Sequence, residues 1–455
     1  MSLRRLPLIP ALLLGACAAH VAPTAVPPLA PPAAWRGHAD QSAEPANARW
    51  WEGFGDPVLT GLVEQAIANN PDIAIAAGRV REARANVAFA RAQLLPTLDA
   101  GAAGGHSRTV SAFGAGLNQD FLQPQVVAGY EVDLFGRLAD SVKASRQAYL
   151  ASQAAHDRVR LAISGAVASQ YIALLGLDAR LQVARSTLAA RGESMRIAES
   201  RDHAGYSPKL ELQQARAEYD ATAQIIPQIE AAIRRSEDSL CQLTGEPPHP
   251  IPRGAALAAL AMPQVPAGLP SALLDRRPDI AQAADQLAAT DAALNAARKR
   301  FLPQLRLSAS GGLAISSLLA NPLTLWQAGG SALAPIFEGG RLRAGVEAAA
   351  GQRDQAAFAY RRAVLQSFRE VEDALAAITA ADDQIALARH QRDTVAEALR
   401  LATNRYRAGY SGYLEQLDAQ RGLLNADLAL VSLQSDALTA RVQLYLALGG
   451  GWTGA

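Results

Sequence analysis

Cysteine is nearly absent from this chain: 455 residues carry only Cys17 and Cys241, one pair at most. There is no paired-cysteine motif, no Gly-rich phosphate loop after a strand and no nucleophile elbow. Seven histidines occur, but His106, His156, His203, His249 and His390 show no metal-ligand spacing. Nothing here supports catalysis, a cofactor or a bound metal. Charge of one sign is missing too. The formal net charge is +1, and removal of Arg4 and Arg5 with a leader would leave a slightly acidic chain. That balance excludes the basic footprint of a nucleic-acid-binding protein. Proline, finally, is missing from Arg341 to Leu448, and that absence organises everything else.

Arg341 to Ala408 is a run of Ala, Leu, Arg, Gln and Glu, all good helix formers. At 1.5 Å per residue its length is roughly 100 Å, far beyond an ordinary globular helix. Ala408-Gly409-Tyr410-Ser411 breaks the run, and a second helix returns from Gly412 to Leu448. The same hairpin occurs earlier. Arg137 to His203 is also free of proline and ends in Ala204-Gly205-Tyr206-Ser207, 204 positions before the later turn. That shift also carries Arg201 onto Arg405, Arg137 onto Arg341 and Gly245 onto Gly449. Upstream, Pro71-Asp72-Ile73 matches Pro278-Asp279-Ile280, and Leu95-Pro96 matches Leu302-Pro303, after a shift of 207. The period is too long for a solenoid, so one large unit has been duplicated. The boundaries read as a leader over 1–16, an anchor and linker over 17–56, a first repeat over 57–245, a connector over 246–270, a second repeat over 271–449 and a tail over 450–455.

Met1 to Ala16 has Arg4 and Arg5 followed by an apolar stretch, the pattern of a secretory signal. Leu14-Gly15-Ala16-Cys17 has the small-residue pattern of a bacterial lipoprotein signal, in which Cys17 would carry acyl chains. An ordinary signal peptide beside a chance cysteine is the other reading. Ala18 is not the aspartate that favours inner-membrane retention, so the outer membrane is expected. Acylation of Cys17 would leave Cys241 unpaired, a small side chain buried near a helix end. Ala18 to Glu44 is a Pro/Ala-rich extended linker. Asp56 is expected to cap the helix opening at Pro57, with Trp50, Trp51 and Phe54 packed on the body. Pro71 to Leu95 reads as a helix capped by Asn70.

Beyond Pro96 the period changes from 3.6 to 2. Val126, Ala128, Tyr130, Val132 and Leu134 alternate with Gln125, Val127, Gly129, Glu131 and Asp133. Leu305, Leu307, Ala309, Gly311 and Leu313 alternate with Arg306, Ser308, Ser310 and Gly312. Such strands suit either an outer-membrane β-barrel or a half-buried sheet in a soluble domain. The loops around Val110 to Gln123 and Ala314 to Leu323 would be the extracellular tips. Two strands per copy give four per chain. Four cannot close a barrel, and an open edge in lipid leaves backbone groups unpaired at roughly several kcal/mol each. The chain must oligomerise, and closed rings favour cyclic symmetry.

The last helix supports a ring. Leu414, Leu417, Leu424, Leu428, Val431, Leu438, Val442 and Tyr445 follow 3-and-4 spacing, with Arg421 and Ser435 as polar exceptions. Leu423, Leu430 and Leu444 mark a second stripe. Two seams fit an α-barrel wall, and one wide seam fits a simple coiled coil. Pro227 should kink the first return helix. Glu246 to Pro270 is expected to lie against the helices. Asp382-Asp383 and Asp436 read as solvated positions.

Together these residues resemble the TolC-type outer-membrane efflux channels, in particular their NodT-like lipoprotein branch. The likeness rests on Cys17, Trp50-Trp51, Phe54, Asp56-Pro57, Asn70-Pro71-Asp72, Arg277-Pro278-Asp279-Ile280, Phe301-Leu302-Pro303 and the two turns, and covers nearly the whole mature chain. It implies a mainly α fold with a small β part: a homotrimeric α-barrel of very long helices plus a shared 12-stranded transmembrane β-barrel. It implies an outer-membrane, lipid-anchored duct without cofactor. The duct takes small molecules, drugs or toxic compounds, from an inner-membrane pump through a periplasmic adaptor. A pump of the resistance-nodulation-division type is the first expectation; metal-ion efflux and type I protein secretion are the alternatives.

The resemblance also assigns residues. The turns would meet the adaptor through Arg201, Gly205 and Ser207 in the first copy and Arg405, Gly409 and Ser411 in the second. The periplasmic gate would be Arg405, Tyr406, Leu414 and Asp418. Arg405 and Tyr406 would lock the closed state by polar contacts between neighbouring helices, and Leu414 and Asp418 would supply apolar and acidic rings. Glu415 could share the acidic role. Leu414 and Asp418 also read as a seam residue and a solvated carboxylate, and the glycines as simple C-caps. From another class, a periplasmic adaptor or structural coiled-coil protein also has long hairpins, but an adaptor carries one, not two.

Overall fold

The computed structural model describes residues 24, 29–36, 48–205, 209–264, 268 and 270–453. Cys17 and Ser207 lie outside the described residues. The elements run α1 (Pro57–Asn69), α2 (Pro71–Ala92), β1 (Thr97–Val110), β2 (Gly116–Val132), α3 (Arg137–His203) and α4 (Lys209–Thr244), then α5 (Leu273–Arg276), α6 (Pro278–Lys299), β3 (Gln304–Ser316), β4 (Leu323–Leu333), α7 (Arg341–Arg407) and α8 (Tyr413–Ala447). The series helix, strand pair, long helix, return helix therefore occurs twice. α3 and α7 have 67 residues each, and α4 stays helical through Pro227. The chain divides into two compact units, one of residues 1–28, 78–153 and 282–362, the other of 29–77, 154–281 and 363–455.

The first unit holds a four-stranded antiparallel sheet in the order β1-β2-β3-β4. Its register sorts the side chains. Val126 lies opposite Ala100 and Gly311, Ala128 opposite Leu98 and Ala309, and Tyr130 opposite Leu307. Gly311 lies opposite Trp326, Ala309 opposite Ala328 and Leu313 opposite Thr324. Residues paired this way share a face, so the apolar alternation of each strand falls on one common face. Large side chains there are exposed; Trp326 is 80 % exposed. The other face carries Asp99, Gln125, Glu131, Arg306, Ser308, Ser310 and Gln327. β1 and β4 each pair on one side only, leaving two backbone edges.

The first tip is shorter than the expected Val110 to Gln123. It spans Ser111 to Ala115, closed by the Ser111 N–H to the Ala115 carbonyl at 2.8 Å, and β2 already starts at Gly116. Asn118, Gln119 and Asp120 look loop-like because they are polar, yet they pair with β1, and His106 meets Asp120 at 2.7 Å. At the other end Asp133 accepts from Leu138 N at 3.0 Å and Ala139 N at 2.8 Å. It thereby satisfies orphan donors in the first turn of α3. Thr24 donates to Asp354 through its backbone N at 3.1 Å and its hydroxyl at 2.5 Å, so the linker is tied at this point.

The second unit has an apolar core built around Trp50, Phe54, Tyr171 and Tyr445. Trp50 stacks on Tyr445 with centroids 5.2 Å apart. Asp56 is buried and caps α1 as expected, accepting from Val58 N at 2.7 Å and Leu59 N at 3.1 Å. Its second oxygen accepts from the Tyr171 hydroxyl at 3.1 Å and Ala255 N at 2.8 Å. One carboxylate thus joins α1, α3 and the connector. Asn70 caps α2 through Asp72 N at 2.8 Å. Cys241 is buried near the end of α4, 3.3 Å from His249 Nδ1. Ile251, Leu257 and Leu260 of the connector join the core. Trp35 of the linker packs on Val371 and Leu444 and donates to the Gly268 carbonyl at 2.9 Å. A Cβ on Gly245 would lie 2.6 Å from the Asn69 oxygen, and one on Gly449 would lie 1.9 Å from the Arg276 oxygen. The duplicated glycines therefore each let a return helix end against backbone.

One expectation needs correction. Asp382 is not merely solvated: both its oxygens lie 2.9 Å from Nη2 of the buried Arg441. The partners are 59 residues apart, so no local pattern announces them. Within the single chain Leu414 is 65 % exposed, while Leu417 is buried.

Candidate functional site: the tips of the two helical hairpins

Both helical turns lie in the second unit. Gly205, two residues past the end of α3, has φ 72°, and Gly409, two past the end of α7, has φ 79°. A left-handed residue at this place lets the chain reverse without a Cβ clash. After α7 the Tyr410 N–H reaches the Arg405 carbonyl at 2.8 Å and the Gly409 N–H reaches that of Tyr406 at 3.1 Å, which satisfies helix-end carbonyls.

The first-copy arginine binds the second-copy turn. Arg201 Nη2 donates to the carbonyl oxygens of Tyr406 at 2.8 Å and Arg407 at 3.3 Å. A cation suits the negative end of α7. The same guanidinium lies 4.3 Å from the Tyr406 ring centroid, within cation–π range. Tyr406 is buried, packs on Tyr413 at 5.6 Å and donates its hydroxyl to Glu211 at 3.4 Å. Burial, with the Glu211 charge beside it, raises the Tyr406 hydroxyl pKa. Burial pushes that of Tyr413 up to about 12. Ala198, Leu212, Ala215 and Leu417 complete the cluster.

The four expected gate residues are not brought together within one chain. Tyr406 faces inward against α3 and α4. Arg405 is exposed and reaches Glu415 across its own turn at 3.8 Å. Leu414 and Asp418 are exposed and four apart on one face of α8. Among the docking residues, Gly205 and Gly409 form the turns, Arg201 bridges the hairpins, and Ser411 follows the second turn with its hydroxyl unpartnered.

A polar layer beneath the tyrosines went unnoticed in the sequence. Arg191 is 3 % exposed. Its Nη1 donates to the Glu218 carbonyl at 2.9 Å and Thr222 Oγ1 at 2.6 Å, and pairs with Glu218 Oε2 at 2.9 Å. Burial nevertheless lowers its pKa, against the opposing pull of Glu218. Arg421 Nε also reaches Glu218 at 2.9 Å. Gln416 and Gln420 donate to Ser194 Oγ at 3.2 and 2.9 Å. Arg191 Nε, the Tyr413 hydroxyl and the Oε1 atoms of both glutamines have no hydrogen-bond partner. Gln416 and Gln420 lie beside the apolar stripe of α8, and only the structure shows them buried. Among the described residues no cluster of three or more His, Cys, Asp or Glu could hold a metal ion.

Long paired helices with glycine turns, and a sheet that is apolar on one face, have counterparts. A model of the outer membrane efflux protein family matches residues 62–246 and 269–450. The chain belongs to the outer membrane efflux protein family. It is 35 % identical to the solvent efflux pump outer membrane protein SrpC of Pseudomonas putida, across 100 % of this chain and 99 % of that one. It is 35 % identical to the pyoverdine export outer membrane protein OpmQ of Pseudomonas aeruginosa, across 99 % and 98 %. The solved outer-membrane channel OprN superposes with a TM-score of 0.84 at 27 % identity, covering 94 % of this chain and 99 % of that one. The fold class expected from the sequence, mainly helical with a small sheet, is the one found. This outer membrane efflux protein is a transport protein of the outer membrane.

Proposed function

We propose that three copies of this efflux protein close a 12-stranded barrel over a helical duct. This trimer is the outer-membrane channel of a tripartite efflux system. It exports small molecules, apolar solvents, drugs or toxic compounds, delivered by an inner-membrane pump of the resistance-nodulation-division type through a periplasmic adaptor. Cys17 carries the lipid anchor. The observation that carries the reading is the sheet: one face apolar from its helix end as far as Leu122 and Ile315, and two unpaired edges, β1 and β4, which lipid tolerates only after closure. The hairpin tips form the periplasmic mouth. Arg201, Gly205, Ser207, Arg405, Gly409 and Ser411 face the adaptor, and Tyr406, Arg405, Leu414 and Asp418 gate the opening. Three copies of Asp418 crowd like charge about the axis and attract cations. The under-satisfied layer of Arg191, Tyr413, Gln416 and Gln420 lowers the cost of separating the helices there. The export of solvents and of pyoverdine named for its relatives supports small cargo.

The test is mass measurement of the solubilised particle together with conductance in planar bilayers. A trimer that conducts ions is expected; a lone water-stable subunit overturns the reading. Co-purification from native membranes identifies the adaptor and, through it, the pump.

A further inference from the structure

We propose that Arg306 makes a cationic ring inside the barrel and biases passage toward anions and carboxylate-bearing cargo. The inference rests on the barrel reading, with the polar face of the sheet turned inward.

The strand register supplies the argument. On the polar face, the four strands carry three ionisable side chains: Asp99, Glu131 and Arg306. Glu131 and Arg306 lie directly opposite each other, and Ser331 lies on the far side of Arg306. Their charges do not cancel. Glu131 is largely enclosed and accepts from Arg137 Nη2 at 2.6 Å. Arg306 comes no nearer to Glu131 than 3.8 Å, and its side chain is 67 % exposed. Arg137 already answers the carboxylate, and Asp133, just past β2, is engaged by the first turn of α3, so it is the Arg306 guanidinium that faces solvent.

Asp99 does not neutralise it either. Asp99 lies opposite Val127, which lies opposite Ser310. Ser310 is four residues along β3 from Arg306, about 13 Å at 3.3 Å per residue. That exceeds the screening length of about 8 Å at physiological ionic strength. The two rungs therefore act as separate rings: acidic nearer the tips, basic at the end where the strands join the helices. Rings of this kind set charge preference in pores. Guanidinium is also the side chain best suited to a carboxylate, which it meets with two parallel hydrogen bonds.

Ser308 is the natural reporter. It lies two residues from Arg306 on the same face, with Gly129 and Gly329 opposite, so a cysteine there stands clear. Full-length trimers carrying Ser308→Cys in native outer membranes are treated with anionic and cationic methanethiosulfonates of equal size, with unsubstituted trimers as background. The anionic-to-cationic rate ratio is expected to fall at least about threefold with Arg306→Gln, by loss of the local potential. Arg306→Lys should retain it. In bilayers under a salt gradient, Arg306→Gln should move the reversal potential toward cation preference. An unchanged ratio in Arg306→Gln overturns the inference while leaving the barrel intact. If Ser308→Cys reacts only with membrane-soluble maleimides, the polar face is not inward and both readings fall.

Discussion

Arg201 holds Tyr406 twice, by a 2.8 Å hydrogen bond to its carbonyl and by a guanidinium 4.3 Å from its ring centroid. The donor belongs to the first repeat and the acceptor to the second, so this is a clasp between two hairpins that the sequence places 205 residues apart. Arg201→Ala removes the charge-assisted bond and a cation–π contact worth about 0.5–2 kcal/mol. Single-channel recording should show a higher open probability for Arg201→Ala and an intermediate one for Arg201→Lys. Wild-type gating in Arg201→Ala would mean that the clasp does not restrain the mouth.

On the proposed gate, Asp418 and Arg405 would separate charge selection from closure. Asp418→Ala should weaken cation preference, because the proposed acidic ring would lose its three carboxylates. Arg405→Ala should raise open probability, because the Glu415 contact across the turn is lost. Planar-bilayer conductance checks both, and two variants matching wild type would remove these residues from the gate.

Two tyrosines make the fold sensitive to alkali. Burial pushes Tyr171 and Tyr413 from an ordinary 10.0 up to about 12. Below pH 10 both stay protonated, folded or unfolded, and their stabilising share is complete. Between pH 10 and about 12 the unfolded chain ionises first, so stability falls as pH rises and this share is gone above the folded value. Phenolate absorbance should therefore appear together with loss of helical circular dichroism. Tyr413→Phe should flatten part of that slope. Phenolate forming near pH 10 in the intact protein would contradict the burial argument.

Asp56 should be costly to lose. Asp56→Ala removes the α1 cap and strands the Tyr171 hydroxyl and the Ala255 N–H. A loss of roughly 2–4 kcal/mol follows from a cap plus buried unpaired donors. The measurement is the temperature at which detergent-solubilised trimers dissociate. Asp56→Asn, which keeps a capping oxygen, should fall between.

Much of this molecule was legible before its structure. The ends of α3 and α7 were marked by runs without proline and by repeated Gly-Tyr-Ser turns. The apolar faces of β2 and β3 followed from alternation, and register then laid Tyr130 beside Leu307. The start of β2 was missed because Asn118 to Asp120 pair along a stretch where both faces are polar. At the tips, duplication located Arg201 and Gly409. It did not reveal Arg191 with Glu218 and Arg421, or Asp382 with Arg441. Those contacts join helices distant in sequence, where a charged side chain looks like any solvated one.

The open borders of the sheet have a genetic consequence. Each subunit must present β4 to one neighbour's β1 and its own β1 to the other neighbour. A copy spoiled along either border occupies a place yet leaves the circle broken. Expressed equally with sound copies, it would spare only about one ring in eight. Such alleles should behave as dominant, whereas a chain that never folds should be recessive.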